Sequence, residues 1–225
     1  MNKKWKGKNF DPEKILNPKI WSEMFLLYSS LSREIKNIAP SCKGKLLDVG
    51  AGPAPYKKIF TKYVKEYITL DFFESPNCKV DIISSAYSIP FPDNSFDVVL
   101  CTQVLEHLEY PQQAINEMRR VLKPNGILIL TTHMAMVLHS EPYDYFRYTK
   151  YGLAFLLKEF KKVKIKEIGG AIYFMCQIFS WAFFYKLFKP LSYLFIIFFN
   201  ILGIVLDKLL YSDLITINYF VVAKK

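Results

Sequence analysis

Short apolar runs and helical patterns take turns along the middle of this chain, and that alternation admits few folds. KLLDVG (45–50) reads as a strand that stops at glycine, PYKKIFTKY (55–63) as a helix, and EYITLD (66–71) as a strand ending on an acid. KVDIIS (79–84) and FDVVLCTQV (96–104) continue as a third and a fourth strand. PQQAINEMRRVL (111–122) sets Ala114, Ile115, Met118, Val121 and Leu122 on one helical face and stops at the turn Lys123-Pro124-Asn125-Gly126. GILILTT (126–132), the helix YGLAFLLKEF (151–160) and the alternating KKVKIKEIG (161–169) complete the series, and LITINYFVVAKK (214–225) is strand-like by its β-branched and aromatic content. Strands alternating with helices predict an α/β fold, a largely parallel sheet with helices on both faces.

Two stretches lie outside this rhythm. From Pro18 to Ala39, the residues Ile20, Met24, Leu27, Tyr28, Leu31 and Ile35 recur at mostly three- and four-residue steps, so residues 1–40 read as a helical lead-in to a domain over 41–225. Between the sixth and last strands, Ala171–Tyr185 and Leu191–Leu206 carry no charge, and Lys186, Lys189 and Pro190 interrupt them. Each run is shorter than the roughly 20 residues of a spanning helix. Together, over 171–210, they predict an apolar helical hairpin inserted before the last strand.

A strand, a glycine turn and a helix make a nucleotide-site geometry. Here Asp48-Val49-Gly50-Ala51-Gly52 forms the turn, and Asp71 ends the next strand, where a carboxylate can accept from both hydroxyls of a ribose. The dinucleotide fingerprint is incomplete, because its third glycine position is Pro55, and there is no GxxxxGK[ST] phosphate loop. LLDVGAG, YITLD, SIPFPDNSFDVVLCTQVLEHL and RRVLKPNGILILTT, in that order over about residues 43–170, resemble the class I S-adenosylmethionine-dependent methyltransferases of the UbiE-like, or methyltransferase 11, branch.

The resemblance implies a Rossmann-like seven-stranded sheet whose last strand inserts antiparallel between the fifth and sixth. It implies S-adenosyl-L-methionine as cofactor, with Asp48, Gly50 and Gly52 at its methionine part and Asp71 at the ribose. Ser85 and Ala86 match the pair that brackets the adenine, with an uncharged Ser where the family usually has Asp, and Gln103 falls where cofactor and acceptor meet.

Methyl transfer from a sulfonium needs an aligned nucleophile, exclusion of water and, for a hydroxyl, a base. The polar and aromatic loop THMAMVLHSEPYDYFRYT (132–149) follows the fifth strand at the edge where α/β sheets bind ligands. His139 is the preferred base because its ordinary pKa lies near neutrality, against a plain role in holding the loop, and His133 is the runner-up. Tyr143, Asp144 and Arg147 are candidates for binding the acceptor. Arg147 fits two roles, a clamp on an anionic group or a partner of Asp144. His107 in VLEHL reads as orienting the chain beneath the site. HSEPYDYFRYTKYGLAFLL resembles a segment of family members that accompany surface-polysaccharide genes, which points to O-methylation of a glycan or lipid-linked sugar.

The net charge of +10 asks for an anionic neighbour or is a solubility charge. No (N/D)PPY signature or RNA-binding module favours nucleic acid. Cys42, Cys78, Cys101 and Cys176 have no metal-ligand spacing and read as reduced thiols of a cytoplasmic protein, and no metal is expected. The basic start MNKKWKGKNFDPEK has no apolar core behind it and is not a secretory signal. The hairpin, with Tyr173, Trp181, Tyr185 and Tyr193 as interfacial aromatics and lysines that could snorkel, fits a dip into the cytosolic face of a membrane through 171–206, or else an oligomer interface. C-methylation of a lipid quinone and a non-catalytic cofactor-binding scaffold are the competing functions.

Overall fold

The computed structural model describes residues 11–74, 79–184 and 189–225. Cys78, Tyr185 and Lys186 lie outside the described residues, as does most of the basic start, and of Lys189 only its place in a helix is described.

The chain runs α1 (Pro12–Leu16), α2 (Phe25–Ile38), β1 (Lys45–Val49), α3 (Lys57–Phe60), β2 (Glu66–Asp71), β3 (Ile82–Ile83), β4 (Phe96–Thr102), α4 (Pro111–Val121), β5 (Leu122–His133), α5 (Lys150–Leu156), β6 (Lys162–Ile168), α6 (Ala171–Ile178), α7 (Lys189–Leu209) and β7 (Asn218–Lys224). The seven strands form one sheet in the order β3-β2-β1-β4-β5-β7-β6. β1 to β5 pair in parallel, and β7 runs antiparallel between β5 and β6. This is the Rossmann-like sheet the sequence predicted, with its reversed last strand.

Alternation along each strand divides the core between two faces. Leu47, Val49, Val99 and Cys101 join Ala114, Ile115, Met118 and Val121 of α4 on one side. Leu46, Val98, Leu100 and Ile129 meet Leu26, Leu27, Leu31 and Ile35 of α2 on the other. A fully buried Leu or Ile contributes about 1.5–3 kcal/mol, so each face is held by many such increments. The lead-in helix is therefore part of the same core as the sheet.

Several elements depart from the sequence reading for identifiable reasons. α2 starts at Phe25 instead of Pro18, because the carbonyls of Ile20 and Ser22 accept from the Asn200 side chain (2.7 and 3.0 Å). β3 shrinks to Ile82–Ile83, since Asp81 exchanges hydrogen bonds with the backbone and hydroxyl of Thr69 in place of a ladder. The Lys123–Asn125 stretch is an irregularity within β5, opposite Phe96–Val98, with Asn125 left-handed at φ +68°. The last strand covers only Asn218–Lys224 of the predicted 214–225.

The hairpin keeps its expected extent, but its second helix is longer than the uncharged run. A π-helical stretch (Phe179–Phe184) continues α6, and α7 extends over 21 residues. Pro190 does not break α7 because it lies in the first turn, where its missing N–H has no partner to lose. Asp207 and Lys208 carry the helix beyond the apolar run. The hairpin's base is pinned by Asp207, whose carboxylate accepts from the amides of Gly170 (3.0 Å) and Tyr173 (3.3 Å). Gly203 lets α7 approach α6 and α2, since a Cβ there would stand 3.0 Å from Cys176 and from Leu26.

Candidate active site

The carboxyl ends of β1, β2, β4 and β5 form one edge, and the polar residues predicted for the site gather along it. Leaving β1, the amides of Gly50 and Ala51 donate to Leu70 O of β2 (2.8 and 3.1 Å), and that of Gly52 donates to Asp71 Oδ2 (2.8 Å). Gly50 has φ +68°, and a Cβ would lie 2.4 Å from Val104 Cγ2. Gly52 also has positive φ, but a Cβ there would meet nothing within 4 Å. One glycine therefore gives close packing, and at the other the space a side chain would take is open.

Two carboxylates flank this turn. Asp48 is buried; its Oδ2 accepts from the Tyr67 hydroxyl (2.5 Å) and its Oδ1 has no partner. Burial pushes its pKa up to about 7, against the Tyr67 hydrogen bond and with the charge of Asp71 adding to the rise. Asp71 lies at the mouth, where its Oδ1 accepts from the Phe73 amide (3.2 Å). S-adenosylmethionine fits this arrangement. The molecule carries positive charge and a ribose diol, and the turn offers a buried carboxylate oxygen in need of a partner, a second carboxylate at the strand end and open space in front of Gly52 between them. Ser84 N donates to Asp71 O (2.9 Å), which sets Ser85 and Ala86 close to Asp71, with Ser85 Oγ accepting from Tyr87 N (3.1 Å).

Gln103 connects this turn to a second group of residues. Its backbone is left-handed (φ +57°) and its Nε2 donates to Thr131 Oγ1 (2.7 Å). Its Oε1 accepts from Asn218 Nδ2 (3.0 Å), which also lies 3.0 Å from His133 Nδ1. All three histidines of the chain meet here. The ring of His139 stands edge-on to His107 and His133, with centroids 4.9 and 5.3 Å away. His107 Nδ1 donates to Tyr143 O (2.6 Å) and His139 Nδ1 to Val137 O (3.1 Å). Glu106 is fully buried; its Oε2 accepts from the Thr132 hydroxyl (2.8 Å). Burial raises the pKa of Glu106 and holds that of His133 well below the usual histidine value, so His133 is neutral behind the partly exposed His139.

The loop after β5 is fastened to residues 105–107. Tyr145 N and Phe146 N donate to Glu106 O (2.9 and 3.2 Å), and Tyr148 OH donates to Leu105 O (3.0 Å). Of the two roles open to Arg147, the structure has the pairing with Asp144. Its Nη1 and Nη2 reach the two carboxylate oxygens at 2.6 and 2.8 Å, and its remaining donors go to the carbonyls of Met136, Val137 and Phe146. Although burial opposes it, that pairing holds Asp144 at a pKa of about 2. Arg147 thus shapes the loop and has no N–H left for a clamp. Tyr143 and Asp144 serve the site by holding His107 and His139, the latter through its amide on Asp144 Oδ2 (3.0 Å).

Sequence reasoning missed Glu106, Asn218 and Tyr67. Asn218 carried a readable signal, a lone amide in an otherwise apolar strand. Glu106 was visible in VLEHL beside His107, but nothing local says that its side chain turns inward.

Residues 47–130 match the family model described as a methyltransferase domain. An uncharacterized methyltransferase of Bacillus subtilis, YcgJ, is 30% identical over 129 residues, which is 50% of this chain and 50% of that one. The chain thus spans about half the length of this curated relative. Among solved structures, a SAM-dependent methyltransferase from Archaeoglobus fulgidus superposes with a TM-score of 0.60 at 19% identity, covering 95% of this chain and 97% of the other. The [4+2]-cyclase SpnF also superposes at 0.60, with 20% identity and coverage of 88% and 82%. The match over residues 47–130 is to a methyltransferase domain, and the sheet has the fold of the S-adenosylmethionine-dependent methyltransferases, whose cofactor is S-adenosylmethionine.

Proposed function

We propose that this protein transfers the methyl group of S-adenosylmethionine to a hydroxyl of a glycan or lipid-linked sugar at the cytosolic face of a membrane. The observation that carries the reading is the junction at residues 103–104. Val104 packs against Gly50 of the cofactor turn, while Gln103 reaches through Asn218 to His133. Cofactor turn and histidine cluster are thus locked to each other, as in-line transfer between two bound molecules requires. The cofactor supplies the activated methyl group. Asp48 and Asp71 hold it, the loop fastened to Glu106 and Leu105 covers the edge, and His139 meets the acceptor hydroxyl and its proton.

The hairpin supports the lipid half of the reading. α7 is apolar on both faces, unlike a helix on the surface of a soluble core. Its inward face carries Ile196 beside Ser192, Asn200 and Asp207, while Leu191, Leu194, Phe198, Ile201, Ile204 and Val205 are exposed. Leu191–Leu209 has mean hydropathy 1.8 and only 28% of it is buried, so by length and composition it could cross a bilayer. Asp207 roots the hairpin at Gly170, beyond the end of β6, and Ile168 of that strand pairs with Asn218. An apolar surface anchored there would present a lipid-borne acceptor to the edge that holds the histidines.

The test is incubation of the intact protein with methyl-labelled S-adenosylmethionine and membrane extracts separated by class. Label in a glycolipid fraction supports the reading. Label in the quinone fraction, or cofactor binding without any transfer, replaces it with C-methylation or with a scaffold.

A further inference from the structure

The histidine cluster contains a group that proton transfer to His139 does not use. Glu106 is 0% exposed, and its Oε1 has no hydrogen-bond partner. That oxygen faces His133 Nε2 at 3.4 Å. A donor atom from each of Glu106, His133 and His139 lies within 4.8 Å of the others.

We propose that Glu106, His133 and His139 bind one divalent metal ion of the borderline class that takes imidazole and carboxylate together, as zinc does. Two ligand atoms on a tetrahedral ion with bonds of about 2.0–2.1 Å stand about 3.3 Å apart, close to the Glu106–His133 spacing. Two imidazoles and one carboxylate leave coordination positions open for an outside oxygen. The surrounding shell is the kind that orients ligands. Thr132 holds the second oxygen of Glu106, and Val137 O holds His139 Nδ1. Ligation through His133 Nε2 needs a proton on Nδ1. Asn218 accepts that proton once its amide turns over, which also gives a partner to Asn218 Oδ1, now buried without one. Gln103 can turn with it, donating to Asn218 and accepting from the Thr131 hydroxyl. The alternative trio of His107, His139 and Asp144 is the poorer site, because both Asp144 oxygens are already taken by Arg147 and the His139 amide.

This site reverses the expectation of no metal. Its use in catalysis rests on the proposed methyl transfer: a cation beside the acceptor hydroxyl lowers its pKa, and His139 then serves as a ligand instead of a free base.

The test starts from the full chain stripped with a chelator and titrated with Co2+ while its visible ligand-field absorption is followed. A band that saturates at one ion per chain supports the site. Its loss in Glu106→Gln and in His139→Ala, and an affinity about 10–100-fold weaker in Asn218→Ala, assign the ligands. His139 is partly exposed, so its variant serves even where Glu106→Gln fails to fold. No band in the wild-type protein, or a band that survives in His139→Ala, overturns the proposal. Label transfer by chelated and reloaded protein is read separately. Loss and recovery support the catalytic use, full activity after chelation removes it, and absence of transfer under all conditions counts against the methyltransferase reading while the Co2+ titration still decides the site.

Discussion

Tyr67 and Asp48 face each other across β2 and β1, and the phenol donates to the carboxylate at 2.5 Å while the other carboxylate oxygen is buried with no partner. An acid so placed prefers to be neutral until a cation arrives, and its pKa of about 7 expresses that. The folded value lies above the unfolded one. Stability from Asp48 is therefore complete below about pH 4 and is lost as pH rises through about 7. Asp48→Asn should remove this dependence and be more stable than the wild type at pH 8 by on the order of 1–4 kcal/mol, seen as a higher melting temperature. Cofactor affinity should move the other way in the wild type, rising with pH over the same window as the cation draws the proton off. Thermal melts and calorimetry from pH 5 to 8 measure both, and identical profiles for the two proteins would separate Asp48 from the cofactor.

The two glycines of the turn should respond differently to alanine. Gly50→Ala meets Val104 at 2.4 Å in a left-handed backbone and should lose more than about 1 kcal/mol of stability. Gly52→Ala bears the left-handed strain without the clash, and its methyl projects into the open space assigned to the cofactor. It should weaken S-adenosylmethionine binding more than it lowers the melting temperature. Equal effects of the two substitutions on binding and on melting would contradict this division of roles.

His139→Ala should lower turnover about 10²–10⁴-fold while leaving cofactor affinity nearly unchanged. The same loss follows whether the side chain takes the proton itself or holds an ion that acidifies the hydroxyl. Full turnover in this variant would move the chemistry away from the cluster altogether.

Opposite faces of α7 should have opposite sensitivities. Asn200→Leu leaves the carbonyls of Ile20 and Ser22 without their donor and should destabilise the fold by about 1–3 kcal/mol. Replacing Leu194, Phe198 and Ile201 by glutamine should leave the melting temperature nearly unchanged and shift the protein from the membrane to the soluble fraction. Recovery of the wild type as a soluble dimer without detergent would instead assign this face to a second copy of the chain.

Legibility followed sequence distance. The strands, the turn and both flanking acids could be read because each is specified within a few residues: a strand that ends at glycine, a strand that ends on an acid. The place of the last strand in the sheet came from the family resemblance alone. The histidines could be named but not joined, because nothing in HLEYP or VLHSEPYD says that loop and strand end converge. Asn218 is 85 residues from His133, and Glu106 is 26 from Thr132. Such partners are fixed by sheet order, which periodicity does not reveal. Arg147 was ambiguous for the same reason; its pairing depends on how the loop folds back. The inward turn of Ser192, Asn200 and Asp207 was hidden as well, since an uncharged run shows that a helix is apolar but not which side its few polar residues take.

The central claim is that S-adenosylmethionine sits on the turn between Asp48 and Asp71. Titration calorimetry of the cofactor into wild-type protein and into Asp71→Ala tests it most directly. The structure predicts one cofactor per chain, with binding weakened roughly tenfold or more when the ribose hydroxyls lose a charged acceptor, a contact of about 1.5–3 kcal/mol. No binding to the wild type, or equal affinity in a folded Asp71→Ala, would contradict it.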